Sequence, residues 1–353
     1  MTTWGSQSQR RALRAVVGMA LAVMMAAACE SPGPPPTIRT HGTPLPKPRP
    51  GPPPVIAVHF DRGRYPLLGN RVADLAKVGQ GFNAVLISSG DDQLVREARG
   101  QGLKVYLGFD EHKEFAAGKD ITADVRDLVR FAQAHRHEIA GIRVADRVNQ
   151  GLTPEQTLDY LRATGGVLHR EVPAVPVIVD LSDPQLTCDL PGQDRCNKPR
   201  LPDYRYQVDA ELLRIYHSGY VDGFMLANGL ARSDTDCGGC DVRELDARAQ
   251  ATAWRKARAM FPSPFLLFAR VATLSFPQPS YPGNADQAAL ATYVYETIPL
   301  QEGVDGVDLW AWSRQFDGTV RTFLNKNGAD NSLWQRMVAV AAAVDAQAQA
   351  RPS

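Results

Sequence analysis

Hydrophobic residues are gathered in short continuous runs along the chain, and each run is followed by a stretch with helix-like spacing of apolar positions. The runs are rich in Val, Ile, Leu and Phe with little alternation, which is typical of parallel strands buried on both faces. Eight strand-and-helix units in about 260 residues predict a single-domain (β/α)₈ barrel, or TIM barrel, of the α/β class. The predicted strands are Val55–Phe60, Phe82–Ser88, Leu103–Phe109, Ile139–Val144, Pro176–Leu181, Val221–Ala227, Pro264–Val271 and Val307–Trp312.

Helix signals lie between these runs. The segment Thr153-Pro154-Glu155-Gln156 has the pattern of a capping box with proline at the first helical position. Amphipathic spacing predicts further helices, whose apolar faces are expected to pack against the strands of the barrel. They cover Ile121–His137, Val208–His217, Glu244–Met260, Ala285–Ile298 and Leu333–Ala346.

The N-terminal residues have the pattern of an export signal. Arg10, Arg11 and Arg14 precede an uncharged apolar stretch, Ala15–Ala28, which is short for a transmembrane span. The small residues before Cys29 resemble a bacterial lipobox, so residues 1–28 are predicted to be a lipoprotein signal peptide and Cys29 the lipidated residue. An ordinary signal cleaved after an Ala-x-Ala site, with Cys29 incidental, is the alternative.

A proline-rich segment follows. Residues 31–54 contain eleven prolines, a composition that forms an extended chain and no core. Residues 29–54 are therefore predicted to be a lipidated tether and residues 55–353 the barrel, with a PxxP-type binding segment as the alternative reading of the prolines. The protein is expected to be exported and held at the cell envelope by a lipid in the membrane.

Charge and motifs exclude several classes of partner. The formal net charge is +1, with both signs interspersed, so neither nucleic acid nor an anionic surface is indicated. The chain has no Gly-rich phosphate loop, no His-x-x-x-His pair and no Gly-x-Ser-x-Gly elbow at a suitable element end. We expect no nucleotide, no cofactor and no metal site.

Four further cysteines lie in two predicted loops on one face of the barrel. Cys188 and Cys196 follow the fifth strand, and Cys237 and Cys240 follow the sixth. An even number of cysteines in an exported protein predicts disulfides that brace these loops, in any of three pairings. A zinc site from the four thiols, or a redox pair at Cys237 and Cys240, is the alternative.

Polar and aromatic residues stand where the predicted strands end, which is where barrels of this kind place their chemistry. Two carboxyl groups suffice for glycoside hydrolysis, and aromatic faces bind sugar rings. The catalytic candidates are Asp146, Asp110, Asp180 and Glu111. The candidates for substrate binding are His59, Asp61, Asn228, Arg270, Trp310, Trp312 and Tyr281.

Two of these candidates share a strand. Trp310 and Trp312 have the same parity and are expected to point the same way. Trp312 is either a platform for a sugar ring or part of the barrel core.

Four segments resemble clan-A-type glycoside hydrolases. Asn83–Ile87 and Gly102–Phe109 look like the second and third strands of that group, Ile139–Asp146 like a strand with an acid at its tip, and Gly306–Trp312 like the eighth strand, whose tryptophan floors the sugar site. The resemblance implies an acid/base role for Asp146.

The chain departs from that group at two positions. The fourth strand of the group usually ends in Asn-Glu, and this chain has Asp146 and Arg147 there. The seventh strand usually ends in a nucleophilic Glu, and this chain has Arg270 in that region.

The sequence thus predicts a membrane-anchored barrel that hydrolyses a polysaccharide or oligosaccharide by carboxylate acid/base chemistry. The alternative is a non-catalytic barrel that binds a glycan or a protein during envelope or exopolysaccharide assembly. A hydrolase requires a pair of carboxyl groups that face an open cleft, whereas a binding protein does not. The separation of the two carboxyl groups would be roughly 5–5.5 Å for a retaining enzyme and roughly 6.5–9.5 Å for an inverting one. Burial of those groups in salt bridges would argue against hydrolysis.

Overall fold

Eight parallel strands close into a barrel in chain order, with β1 paired to both β2 and β8. The computed structural model describes residues 44–60, 70–88, 90–148, 151–182, 208–227, 254–255, 257–271, 293–309, 311–316, 319–322 and 332–350. The strands are β1 (Val55–His59), β2 (Ala84–Ser88), β3 (Lys104–Gly108), β4 (Ile139–Arg143), β5 (Val177–Ser182), β6 (Gly223–Ala227), β7 (Leu266–Val271) and β8 (Gly306–Leu309). An antiparallel hairpin of β9 (Ser313–Phe316) and β10 (Thr319–Thr322) follows. The predicted eight-stranded barrel is confirmed.

Helices follow the strands. They are α1 (Arg71–Gly81), α2 (Asp92–Gly100), α3 (His112–Ala116), α4 (Thr122–Ala134), α5 (Pro154–Ala163), α6 (Gly165–Glu171), α7 (Val208–Ser218), α8 (Ile298–Gln301) and α9 (Ser332–Gln349), with a π-helical turn at Tyr293–Thr297 before α8. The predicted capping box is confirmed, because Thr153 Oγ1 accepts from the Gln156 amide at 3.2 Å and Gln156 Oε1 accepts from the Thr153 amide at 2.9 Å. Among the helices described, none is long and apolar enough to cross a membrane.

The barrel interior is filled by apolar side chains that alternate with outward-facing ones along each strand. The inner cluster consists of Val55, Ala57, Ala84, Leu86, Tyr106, Ile178, Met225 and Phe268. Tyr106 and Phe268 meet edge to face across it, with ring centroids 5.7 Å apart. Glycines make room for these two rings: a Cβ on Gly141 would lie 2.7 Å from Tyr106, and one on Gly306 would lie 2.6 Å from Phe268.

Part of the predicted tether lies against the barrel. The Arg49 amide donates to the Leu300 carbonyl at 2.7 Å, and Gln347 on α9 donates to the carbonyls of Arg49 and Gly51 at 2.8 and 3.1 Å. Residues 44–54 are therefore docked on the barrel, ahead of the predicted boundary at residue 55. The predicted signal peptide and residues 29–43 lie outside the described residues.

Candidate functional site

A buried network of charges occupies the C-terminal ends of β4, β5, β7 and β8. Arg270 Nη1 donates to the carboxylates of both Asp146 and Asp180. Arg270 Nε lies 3.8 Å from Asp308 Oδ2 on β8. Arg143 Nη1, at the end of β4, lies 3.6 Å from Asp180 Oδ2 and 3.8 Å from Asp146 Oδ1. The network therefore joins four strands around the mouth of the barrel.

Strand parity explains why these groups meet. Asp180 lies two residues after the inward-facing Ile178, and Arg270 two residues after the inward-facing Phe268. Because successive side chains of a strand point to opposite faces, both polar residues also point inward. They form the layer just beyond the apolar interior.

The carboxyl groups of the network have pKa values shifted in opposite directions. Asp180 and Asp308 are both 0% exposed, and burial raises the pKa of each, to about 6 for Asp180, although Arg270 opposes the rise. Burial also acts on Asp146, but Arg270 and Arg143 outweigh it and hold its pKa well below the usual range. The pKa of Arg270 is raised because the carboxylates outweigh burial. Three carboxyl groups thus share two buried guanidinium groups, and the excess acid favours a proton on Asp180 or Asp308.

Arg147, directly after Asp146, has a left-handed backbone with φ 62°. A non-glycine residue in this region is uncommon and strained. Its side chain is 43% exposed, and its Nε lies 3.5 Å from Asp146 Oδ1. This conformation places a third guanidinium beside the network, on its solvent side.

Asp110 and Glu111 lie beside the network and remain partly open to solvent. Asp110 Oδ1 accepts from the Asp146 amide at 3.0 Å and lies 2.7 Å from His112 Nδ1. Burial favours a higher pKa for Asp110, but these two contacts outweigh it and lower the pKa. The pKa of Glu111 is raised, first by burial and then by the neighbouring acids Glu114 and Asp124.

A pocket of about 560 Å³ opens beside these two acids, at the ends of β2 and β3 and along α4. Its volume lies within the usual range of small-molecule sites. Its lining residues are Ser88, Gly90, Gly108, Phe109, Asp110, Glu111, Asp124, Asp127, Leu128 and Phe131. The pocket combines carboxylates with apolar and aromatic side chains.

Trp312 lies between the barrel and the helices. It is 1% exposed, its Nε1 donates to Asp74 on α1 at 3.2 Å, and its ring meets Trp334 of α9 edge to face at 5.8 Å. With no open face, Trp312 is no platform for a sugar ring, and the alternative prediction of barrel core fits its packing. His59 ends β1 and is buried, with its carbonyl accepting from the Trp312 amide at 3.0 Å.

The other predicted site residues lie outside the described part of the chain. They are Asp61, Asn228, Trp310 and Tyr281, with Cys29, Cys188, Cys196, Cys237 and Cys240. The shared orientation of the two tryptophans and the disulfide bracing therefore stay predictions. Within the described ranges, no group of three or more His, Cys, Asp or Glu residues is arranged to hold a metal ion.

Sequence reasoning missed two members of the site, Asp308 and His112, and it offered Arg143 and Arg147 only as salt-bridge partners of Asp146, the alternative to a catalytic role for that residue. Asp308 and Arg143 stand inside predicted strands, where a charged residue in an otherwise apolar run is itself a signal. Asp308 also has the parity of Trp310, two residues on, which would place both on one face. His112 follows two acids, and nothing in the local pattern marks its contact with Asp110.

No protein-family model matches this chain, and no curated protein matches it. Solved structures do match its fold. The chain folds as a TIM barrel. An exo-β-1,4-mannosidase from Opitutaceae bacterium strain TAV5 has a TM-score of 0.52 at 12% identity, over 90% of this chain and 64% of that one. A β-glucosidase from Thermotoga maritima has a TM-score of 0.52 at 9% identity, over 84% of this chain and 99% of that one. Both are glycoside hydrolases, and at these identities the likeness is one of fold alone.

Proposed function

We propose that this protein binds an oligosaccharide or polysaccharide at the C-terminal mouth of its barrel, and that Asp146 and Asp180 do not cleave it. The observation that carries the proposal is the position of Arg270, whose Nη1 bonds both carboxylates. A glycosidase needs the space between its two carboxyl groups for the anomeric carbon or for water. Here a guanidinium group fills that space, so the two acids are paired with protein and not with substrate.

Carbohydrate is the favoured ligand for two reasons. The fold is shared with a mannosidase and a glucosidase, which is an analogy of fold. The mouth also offers partly open carboxylates at Asp110 and Glu111 and the partly exposed side chain of Arg147. Carboxylates accept hydrogen bonds from sugar hydroxyls and guanidinium groups donate to them.

Hydrolysis is the second candidate, and one observation favours it. The pKa of Asp180 is raised to about 6, whereas the pKa of Asp146 is lowered. A protonated and an ionised carboxyl group side by side is the pairing that glycosidases use as acid and nucleophile. For this pair to act, Arg270 would have to leave the space between them when the glycan binds.

We further propose that the protein is exported and anchored by a lipid on Cys29. The basic residues Arg10 to Arg14, the apolar stretch and the small residues before Cys29 support this. With residues 44–54 docked on the barrel, about 14 residues remain as a tether, or roughly 40 Å in an extended chain. Loss of membrane association in a Cys29→Ser variant, with mass spectrometry of the N-terminal peptide, tests the anchor.

A panel of envelope oligosaccharides tests the main proposal. Titration calorimetry measures binding, and release of new reducing ends measures cleavage. We expect binding without cleavage by the wild type, and the same by Asp146→Asn and by Glu171→Gln, an exposed acid at the end of α6 that serves as control. Cleavage by the wild type that is lost in Asp146→Asn would establish the hydrolase instead. Absence of binding to every member of the panel would overturn both.

A further inference from the structure

Three guanidinium groups converge on one carboxylate oxygen at the mouth of the barrel. Oδ1 of Asp146 accepts a hydrogen bond from Arg270. The same oxygen lies 3.8 Å from Arg143 Nη1 and 3.5 Å from Arg147 Nε, beyond the distance of a good hydrogen bond. One carboxylate oxygen therefore faces three cations and forms a hydrogen bond with only the first of them.

The other two arginines have buried donors without an acceptor. Nε and Nη1 of Arg143 and Nε of Arg147 are buried and have no hydrogen-bond partner among the residues that the structure describes. The side chain of Arg143 as a whole is only 5% exposed. Because burying an unpaired donor of a charged group is costly, these donors indicate a site that an acceptor from outside the chain completes.

The charges at the mouth leave a positive excess. Burial favours a proton on one of the three acids of the network, so two ionised carboxylates face three guanidinium groups. The neighbouring acids on the rim have partners of their own. Asp110 lies 2.7 Å from His112 Nδ1, and Glu111 lies 3.7 Å from Lys119 Nζ. The excess therefore remains with the arginines of the network, of which Arg147 is the most exposed, at 43%.

Arg147 reaches this position at the cost of a strained backbone, with φ 62°. The turn around it is held on both sides. The Asp146 amide donates to Asp110 Oδ1 at 3.0 Å, and the amide of the buried Val148 donates to the Asp180 carbonyl at 2.9 Å. Glycine or asparagine would adopt the left-handed conformation with less strain, so the turn itself does not require arginine. The side chain of Arg147 is what the strain maintains, as at many functional sites.

We propose that Arg147, reinforced by the buried charge of Arg143, binds the carboxylate of an acidic sugar, so that the preferred ligand is a glycan that contains uronic acids. The planar guanidinium group matches a carboxylate through two parallel hydrogen bonds. The carboxylate also supplies the negative charge that the three arginines lack. This inference rests on the proposed glycan binding and specifies its ligand class.

Other glycans fit these arginines less well. A neutral sugar could accept hydrogen bonds from Arg147 through its hydroxyl groups but would leave the positive excess uncompensated. A sugar with a protonated amine would add a further positive charge beside three guanidinium groups, which is unfavourable in a partly buried site.

Two probes of the same length and linkage test the inference: a tetramer of galacturonic acid and the same tetramer with its carboxyl groups methyl-esterified. Esterification removes the charge and leaves the sugar rings and their hydroxyl groups unchanged. Titration calorimetry on the full chain at pH 7, at low and at high salt, gives the affinities. The wild type should bind the acid about tenfold more tightly than the ester at low salt. This preference should shrink at high salt because the attraction is screened.

Variants locate the preference at Arg147. Arg147→Gln should reduce it to about twofold or less. The control Arg162→Gln removes the same charge from an exposed position on α5 and should leave it unchanged. Arg147→Gly should also lose the preference, yet change the melting temperature by less than about 2 °C, because relief of the left-handed backbone offsets the lost contact with Asp146. A merely structural role of Arg147 would instead lower the melting temperature and leave the preference in place.

The outcomes separate this inference from the proposed function. Equal affinity of the wild type for both tetramers, tighter binding of the ester, or a preference that survives in both Arg147→Gln and Arg147→Gly would overturn the inference. Glycan binding itself would stand in each of these cases. Failure of every glycan of the envelope panel and of both tetramers to bind would instead remove the proposed function and this inference with it.

Discussion

Removal of Arg270 should destabilise the protein strongly and in a pH-dependent way. Arg270→Ala leaves Asp146, Asp180 and Asp308 in the barrel mouth without the guanidinium that contacts all three. Breaking a buried ion pair by removing one partner costs about 3–5 kcal/mol, because the remaining charge stays buried without compensation. For a barrel of about 300 residues, 1 kcal/mol corresponds to roughly 1.6 °C, so the melting temperature should fall by about 5–8 °C at pH 7.5.

The sign of the pH dependence follows from the same geometry. Without Arg270, burial raises the folded-state pKa of Asp146 and Asp180, so their neutral forms stabilise the fold at low pH and this contribution is lost as pH rises. The deficit relative to wild type should therefore be smaller at pH 4.5 than at pH 7.5. Differential scanning calorimetry at the two pH values measures both quantities.

Arg162→Ala is the matched control, since Arg162 is 63% exposed and pairs with Asp159 at 3.0 Å on the surface. Exposed pairs contribute about 1 kcal/mol or less, so this variant should change the melting temperature by less than about 2 °C at either pH. If Arg270→Ala lowered the melting temperature no more than Arg162→Ala, or by the same amount at both pH values, the electrostatic account of the network would be refuted.

Four further predictions concern the charge network, Trp312 and the packing of the barrel interior. In urea denaturation between pH 2 and pH 7, Asp180→Asn should gain stability relative to wild type as pH rises from about 4 to about 6, because the contribution of Asp180 is fully present below its unfolded pKa and is lost as pH rises through its folded pKa of about 6. Asp146→Asn should lose relative stability as pH rises from 2 to about 4, since the lowered folded pKa of Asp146 makes its contribution present above the unfolded pKa and lost on acidification below it; the same sign in both variants would contradict the opposed shifts. Trp312→Phe should lower the free energy of unfolding by about 1–3 kcal/mol and leave glycan affinity unchanged, and a loss of affinity without loss of stability would restore its role as a platform. Gly306→Ala should lower the free energy of unfolding by about 1–3 kcal/mol, because the new Cβ would lie 2.6 Å from the ring of Phe268 on β7. The control Gly100→Ala, at the end of α2 where a Cβ meets no atom within 4 Å, should leave that free energy unchanged or raise it by up to about 1 kcal/mol. Equal effects of the two substitutions would refute the packing argument.

The barrel could be predicted from the sequence because strands buried on both faces appear as continuous apolar runs. Each run of Val, Ile, Leu and Phe marks a strand, and most boundaries agree with the structure to within two residues. Two predicted strands begin earlier than the observed ones, and burial explains the difference. Phe82 and Leu103 are apolar because they are buried against the core, although they lie in the turns that lead into β2 and β3.

Trp312 lies beyond the strand on which its predicted orientation depends. The prediction that it shares the orientation of Trp310 assumes a strand that continues to residue 312, whereas β8 covers Gly306–Leu309. Trp312 itself contacts Asp74 of α1 and Trp334 of α9. Because alternation of side chains applies only within the hydrogen-bonded ladder, the shared orientation stays a prediction.

The charge network could be predicted only in part. Asp146, Asp180 and Arg270 were recognisable as strand-end residues, but their pairing spans 124 and 90 positions along the chain and depends on how the barrel closes. In the closed barrel β7 lies two strands from β5 and three strands from β4, and no local sequence pattern records that spacing. The sequence could identify which residues reach the mouth, and the structure was needed to show that an arginine lies between two of the acids.

The stability of the barrel does not by itself account for this charged layer. The apolar layer beneath it, with Tyr106 and Phe268 meeting across the interior, already fills the barrel. Buried ion pairs are on average no more stabilising than apolar side chains of the same volume, and three carboxyl groups over two buried guanidinium groups leave an excess that burial penalises. The proton that this excess favours on Asp180 or Asp308 reduces the cost, and polar groups of a bound ligand would reduce it further. Because the layer lies at the end of the barrel where Arg147 and the acidic pocket are partly open to solvent, its composition is consistent with the proposed binding of a hydroxyl-rich ligand there.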